Sequence, residues 1–100
     1  MRLGVGAGYS AAMATAAAPV VLAANAAQVL TKNRTREQAL TVQITNIGAN
    51  PVNLGGSNVS GTVYGYTLAA GATLPFRLAP QDDLWGFSAA GTTVAILTSP

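Results

Sequence analysis

Residues 40–55 read LTVQITNIGANPVNLG, and this stretch decides the fold class. From Leu40 to Ile44 every second residue is apolar, with threonine and glutamine between, which is the pattern of a strand with one apolar face. The Asn, Gly and Pro residues of NIGANP predict a turn. The alternation resumes at Val52 and Leu54, so the stretch predicts a β-hairpin.

Similar segments follow along the chain, each bounded by turn residues. Beyond the hairpin, strands are predicted over residues 20–30, 63–68, 73–78, 84–88 and 93–98. Pro75 cannot donate a hydrogen bond to a neighbouring strand, so its strand is expected at a sheet edge or a bulge. Turn signals at intervals of about 8–12 residues are typical of all-β proteins. We expect a small antiparallel β-sandwich or barrel of about seven strands over residues 20–100, preceded by an irregular N-terminal arm over residues 1–19.

The apolar faces of these strands predict the core. Apolar residues that alternate with polar ones on a half-buried strand point into the interior. The expected core members are Val42, Ile44, Val52, Leu54, Leu68, Leu74, Phe76, Leu78, Phe87, Val94 and Ile96, together with either Leu84 or Trp85.

The composition leaves few groups suited to catalysis. The chain has no cysteine and no histidine, which excludes disulfides, thiolate metal sites and the commonest general base. Its carboxylates are Glu37, Asp82 and Asp83, and the last two are adjacent in a predicted turn without the spacing of a calcium loop. We therefore expect no enzyme activity, no catalytic residues, no cofactor and no metal.

Charge is scarce as well. Charged residues make up 8% of the chain, against about 25% in typical domains. Nucleic-acid-binding domains cluster Lys and Arg on one face, and the one short cluster here is Lys32, Arg34 and Arg36. These three form either a solvated edge that discourages strand pairing or a docking site for an acidic surface that salt would weaken. We expect no nucleic acid as a partner, and the weak repulsion between copies favours a surface that packs against neighbours.

Residues 4–18 read GVGAGYSAAMATAAA and allow four interpretations. Residues 6–11 fit the G-x-G-x-x-A pattern of a dinucleotide site, but the chain before them is too short for the buried strand that this motif requires. A membrane span needs about 20 predominantly apolar residues, and Pro19 and the many small side chains argue against one. Arg2 and the A-x-A patterns indicate a secretion signal, yet its apolar region is weak. We expect neither a dinucleotide site nor a membrane partner.

The fourth interpretation is an arm that contacts another protein. Small uncharged side chains let a second backbone approach closely, and terminal segments are ordered only where something holds them. The arm residues expected to contact a partner are Leu3, Val5, Tyr9, Met13 and Val20.

Two tyrosines, Tyr64 and Tyr66, are further candidate contacts. They flank Gly65 and would lie on the same face of a strand. If exposed, they would contact a ligand or another subunit. If half-buried, they would only pack against a neighbouring strand, and the sequence leaves both alternatives open.

Three runs of the chain resemble small β-sandwich virion proteins of tailed bacteriophages. The runs are LTVQITNIGANPVNLGGSNV, GYTLAAGATL and DLWGFSAAGTTVAIL. In these proteins a basic residue precedes a strand that ends in Asn, a turn leads to a strand that ends in Leu-Gly, and G-Y-x-L-x-x-G-x-x-L follows. The matching positions here are Arg36, Asn46, Leu54, Gly55, Gly65, Tyr66, Leu68, Gly71 and Leu74. The resemblance covers residues 34–97 and rests on turn spacing.

This resemblance implies a capsid decoration or head-fibre protein, a class that is usually oligomeric and often trimeric. We expect a homotrimer on the capsid surface of the virion, with the major capsid protein as its partner and the arm lying along capsid subunits. The alternative is a receptor- or glycan-binding module of a tail fibre or baseplate, which would use Tyr64, Tyr66 or Trp85.

Overall fold

The computed structural model describes residues 15–16, 18–33 and 38–99, which form nine β-strands in two antiparallel sheets. In chain order the strands are β1 (Thr15–Ala16), β2 (Val20–Leu22), β3 (Ala26–Lys32), β4 (Leu40–Asn46), β5 (Val52–Gly55), β6 (Tyr66–Leu68), β7 (Thr73–Leu78), β8 (Asp83–Ser88) and β9 (Thr92–Ser99). None of the described residues is helical. The protein is an all-β sandwich, and this confirms the fold class that the alternating pattern predicts.

The chain passes from one sheet to the other at most of the connections between strands. In the first sheet β1 and β2 pair with successive parts of β9, and β4 and then β7 follow on the other side of β9. The second sheet has the order β3, β8, β5, β6. Between β2 and β9 only the β5–β6 connection stays within one sheet. The hairpin expected over residues 40–55 is therefore wrong, because β4 pairs within the first sheet and β5 within the second. With β1 and β2 counted as one interrupted strand, this is the arrangement of a jelly roll, which packs two Greek keys face to face.

The single strand expected over residues 20–30 is wrong, because the chain turns inside it. Val20–Leu22 pairs with β9 in the first sheet, whereas Ala26–Lys32 pairs with β8 in the second. Asn25 lies between them with a φ of 61°, in the left-handed region that Asn adopts more readily than most residues. This turn carries the chain from one sheet to the other and raises the number of strands above the expected one.

The strand expected over residues 63–68 is shorter in the structure and comprises Tyr66–Leu68. The preceding residues are held in a turn by Ser60. Its hydroxyl oxygen accepts hydrogen bonds from the N–H groups of Thr62 (3.2 Å) and Val63 (3.0 Å). A local side-chain acceptor of this kind competes with strand pairing.

The core lies between the sheets and contains most of the expected residues. Those that are buried there as predicted are Val42, Ile44, Val52, Leu54, Leu68, Leu78, Leu84, Val94 and Ile96. Leu22, Leu30 and Val59 are also buried, although they are absent from the expected set. Leu74 packs against the core but is only partly buried.

Of the two candidates on β8, Leu84 is the core residue and Trp85 is not. Leu84 is buried, whereas Trp85 is partly exposed. The even-numbered residues of this strand face inward, since a Cβ atom on Gly86 would lie 2.9 Å from Leu30 Cδ1 in the core. Trp85 therefore points to the outer face of the second sheet.

The two phenylalanines of the expected core behave differently from the other members. Phe87 is buried on the outer face of the second sheet, where the β5–β6 loop covers it: a Cβ on Gly61 would lie 3.7 Å from its ring. Phe76 is 40% exposed, so its expected place in the core is wrong. It lies on β7, which is the edge strand that Pro75 predicts, in register with the fully buried Val42.

A buried asparagine joins the two sheets at one end of the sandwich. The Nδ2 atom of Asn46 donates to the carbonyl oxygens of Asn50 (2.7 Å) and Leu68 (3.1 Å). Its Oδ1 atom accepts from the N–H of Gly48 (3.2 Å) and the hydroxyl of Thr92 (2.8 Å). Since Leu68 belongs to the second sheet and Thr92 to the first, one amide connects them.

A second buried asparagine, Asn33, lies at the opposite end. Its Nδ2 atom donates to the carbonyl oxygens of Gln38 (2.9 Å), Leu78 (3.1 Å) and Ala79 (3.1 Å). Its backbone N–H donates to the carbonyl oxygen of Asp82 at 2.8 Å. Asn33 thereby ties the end of β3 to the connection between β7 and β8.

We predict that Asn46→Ala lowers the free energy of unfolding by about 3 kcal/mol, because several buried polar groups lose their partners at once. Urea denaturation measures the loss, and the slope of the unfolding free energy against urea concentration should be unchanged. Asn58→Ala, at an exposed position, is the matched control and should change stability by less than about 0.5 kcal/mol. Equal stabilities of the two variants would show that the Asn46 amide does not hold the sheets together.

Candidate binding groove

An open groove of about 480 Å³ lies between the two sheets, where β6 and β7 form their edges. Its apolar lining comes from both sheets, with Ile44, Leu74, Phe76 and Leu78 from the first and Leu54 and Leu84 from the second. Tyr66, Asp82 and Asp83 also line it. Apolar clefts of about 300–1,000 Å³ with a few polar groups are typical of binding sites.

The groove is open because β6 is shorter than the strand that faces it. Strand β6 has 3 residues and β7 has 6. Beside β6 the wall of the groove consists of Gly55, Gly56 and Gly65, which have no side chains to reach across. Core-facing residues of β7 therefore stay in contact with solvent.

Phe76 is the side chain most affected by this gap. Its register with Val42 places it on the core-facing side of the first sheet, yet it is as exposed as a surface residue. Tyr66 lies on the other side of the groove and is 49% exposed. Two exposed aromatic side chains that face an apolar cleft indicate a site for an apolar partner.

One end of the groove is acidic. Asp82 and Asp83 stand where β7 connects to β8, and the N–H of Asp83 donates to the Asp82 carboxylate at 2.9 Å. Asp83 is in register with Lys32 of β3 and partly buried, whereas Asp82 is exposed. The groove thus suits an apolar segment that carries a positive charge at one end.

The aromatic residues proposed from the sequence are not all brought to one place. Tyr64 is 51% exposed but precedes β6, so it does not share a strand with Tyr66. Trp85 points to the outer face of the second sheet and does not line the groove. Of the three, only Tyr66 belongs to the site.

Of the three basic residues proposed for docking on an acidic surface, the structure describes Lys32, which is exposed at the end of β3. Arg34 and Arg36 lie outside the described residues. The docking role of this cluster therefore stays a prediction.

The arm is described only in its last part. Four of its expected contact residues lie outside the described residues, namely Leu3, Val5, Tyr9 and Met13. The fifth, Val20, is in register with Val94 and packs against the core of its own sandwich, so its burial needs no partner. Thr15–Ala16 pairs with β9 of the same molecule, so part of the expected arm is joined to the first sheet.

Within residues 15–16, 18–33 and 38–99, no group of three or more His, Cys, Asp or Glu residues is placed to hold a metal ion. In the part of the chain that the structure describes, no helix is long and apolar enough to cross a membrane.

Sequence reasoning misses this groove because Leu74 and Phe76 show the same alternation as true core residues. Two signals point to it in retrospect. Pro75 marks the strand as an edge, and the Gly55-Gly56 pair supplies no side chains to cover that edge.

We predict that, at concentrations too low for copies to associate, Phe76→Ala lowers the free energy of unfolding by less than about 1.5 kcal/mol, since its ring contacts water within a single subunit. Ile44→Ala, which removes a fully buried side chain from the adjacent strand, should cost about 2–5 kcal/mol. Urea denaturation of both variants measures the difference. Similar large losses would mean that Phe76 is covered within its own subunit.

No protein-family model matches the chain, and no curated protein matches it significantly.

Proposed function

We propose that this protein is a non-enzymatic capsid decoration protein of a tailed bacteriophage, which binds the outer shell of the head as a homotrimer and stabilises it. The resemblance of residues 34–97 to small β-sandwich virion proteins suggests this role. The observation that supports it best is the surface of the described residues, which is nearly uncharged and exposes apolar side chains on more than one side.

The described residues include four charged side chains, namely Lys32, Arg77, Asp82 and Asp83. The large apolar side chains that they expose are Val21, Ile47, Val63, Tyr64, Tyr66, Phe76 and Leu97. Single exposed apolar residues are common on monomeric proteins. Combined with so few charges, they favour a protein that works in contact with other subunits.

The outer face of the first sheet is a second surface suited to contact. The hydroxyl oxygens of Thr45 and Thr73 lie 2.9 Å apart in a hydrogen bond across β4 and β7. Arg77 donates from Nη1 to the hydroxyl of Thr41 at 2.9 Å, which holds its side chain along the sheet. Short hydroxyl side chains let a partner pack closely and exchange hydrogen bonds, as at other protein interfaces.

A protein that binds the assembled shell in preference to its other states stabilises the shell by that binding alone. A protein that binds only one of two states stabilises that state by about 2.7 kcal/mol when its free concentration is 100 times Kd. In an oligomer, the first bound subunit raises the effective concentration of the others. Contact area therefore carries the function, and no catalytic group is needed.

The alternative function is a receptor- or glycan-binding module of a tail fibre or baseplate. It is favoured by Tyr66, whose half-exposed ring and hydroxyl line the groove. Aromatic rings with a polar tip suit ligands that have both apolar and polar faces.

We predict that the protein is present in many copies on isolated phage heads and absent from isolated tails. Quantitative mass spectrometry of the two fractions measures its copy number in each. Copies confined to tails would replace the decoration role with the receptor-binding alternative, and absence from both fractions would contradict both functions.

Heads that lack the protein provide a control for the stabilising role. They should rupture at a lower temperature than complete heads, as followed by release of DNA to a fluorescent dye, and purified protein should restore the rupture temperature. Heads that bind the protein without a change in rupture temperature would contradict stabilisation.

A further inference from the structure

Residues 3–9 read LGVGAGY, with glycine at every second position. Alternate residues of an extended strand point to opposite faces. The segment would therefore present Leu3, Val5, Ala7 and Tyr9 on one face and no side chains on the other. It lies outside the described residues, so this pattern comes from the sequence alone. We propose that residues 3–9 of one copy bind in the groove between β6 and β7 of a second copy.

The groove has the length and chemistry for such a segment. At about 3.3 Å per residue, seven extended residues span roughly 23 Å, and six-residue β7 spans roughly 20 Å. The apolar face of the segment would point into the groove and cover Phe76. Its glycine face would add no bulk at the rim, where Gly55, Gly56 and Gly65 also lack side chains.

The binding would depend on side chains more than on backbone hydrogen bonds. Pro75 has no N–H group, so β7 cannot offer a complete ladder to an added strand. The exposed apolar surface of Phe76 and Leu74 must therefore provide most of the attraction, through its removal from water.

Charge sets the direction of the segment. Arg2 directly precedes it, and Asp82 and Asp83 stand at one end of the groove. Attraction between these charges places residue 3 at that end and residue 9 near Leu74. Strand β7 runs towards Asp82, so the segment would lie antiparallel to it, as neighbouring strands do throughout this sandwich.

The same molecule cannot fill its own groove in this direction. Thr15 pairs with Thr98 at the far edge of the first sheet, and the order β1, β9, β4, β7 separates β1 from β7 by about 14 Å. The six steps from residue 9 to residue 15 reach at most about 22 Å. A straight path from Thr15 to the groove would pass through packed strands. A path around the sheet adds the thickness of a layer, about 10 Å, and is then longer than these six steps can span. A second copy must supply the segment.

Exchange of this kind is head-to-tail, because arm and groove are different surfaces. Such contacts close into a ring when the rotation between copies allows it, and a ring of three would fill every groove. The inference concerns contacts between copies in solution, so it does not depend on the particle that the protein binds.

Cysteine cross-linking tests the proposal in the full chain, which has no cysteine of its own. The variant Ala7→Cys/Phe76→Cys, whose two positions lie opposite each other in the proposed register, is oxidised and run on a denaturing gel without reducing agent. We expect covalent dimers and larger oligomers that disappear on reduction. Ala7→Cys/Leu97→Cys is the matched control, because Leu97 has the same 40% exposure as Phe76 but lies on the outer face of the first sheet. This control should stay monomeric.

The other outcomes overturn the proposal. Oxidised monomers that migrate faster than the reduced chain would place the segment in its own groove. Equal amounts of dimer in both variants would indicate random collision. A lack of cross-links in either variant, with melting temperatures close to that of the unmodified chain, would show that the segment does not occupy the groove, and would leave the decoration role untouched.

Light scattering gives a second readout that does not depend on disulfide formation. Phe76→Asp should lose the oligomeric mass of the full chain, because a carboxylate would be buried under the segment, whereas Leu97→Asp should retain it. A folded Phe76→Asp variant that keeps the full oligomeric mass would contradict the proposed contact.

Discussion

The buried amide of Asn46 is the contact on which the closed end of this sandwich depends. Its side chain joins a strand end of the second sheet to the start of β9, and its backbone N–H and carbonyl bond to Ala72 (3.0 Å) and Gly71 (2.7 Å). The neighbouring chain packs so closely that a Cβ on Gly48 would lie 2.7 Å from the backbone nitrogen of Thr93. Every polar atom of this amide has a partner, so its burial stabilises the fold.

The edge formed by β6 and β7 is the opposite case. Along this groove, glycines of the second sheet stand where side chains would otherwise meet those of β7. The apolar surface of Phe76 is therefore exposed by the backbone layout and not by a local irregularity of β7. Because this exposure lies on the inward-facing side of a sheet, it differs from that of Val21 and Leu97, which project from the outer face. The groove is therefore better suited to bind an apolar partner than the other exposed apolar residues are.

The sequence predicts those parts of the fold in which one face of a strand is buried and the other is wet. Val42, Ile44 and the rest of β4 show this, since period-two alternation directly reports two unequal faces. Prediction from the sequence fails at Asn25, because this single left-handed residue turns the chain without a Gly or Pro that would indicate a turn.

Pattern alone also fails where a distant element decides the environment of a residue. Trp85 and Leu84 are both apolar, and the packing of Gly86 against the core determines which of them points inward. Phe76 follows the core pattern perfectly and is exposed because β6, ten residues earlier in the chain, is short. The fold class was within reach of the sequence, whereas the groove required the lengths of both edge strands.

If the apolar groove is filled only when copies associate, as proposed, the assembly is sensitive to cold. Removal of apolar surface from water on binding has a large negative heat-capacity change, and this attraction weakens as the temperature falls. The core of each sandwich shares that dependence but buries many more apolar side chains than the groove exposes. Chilling should therefore weaken the proposed contact between copies before it unfolds a subunit.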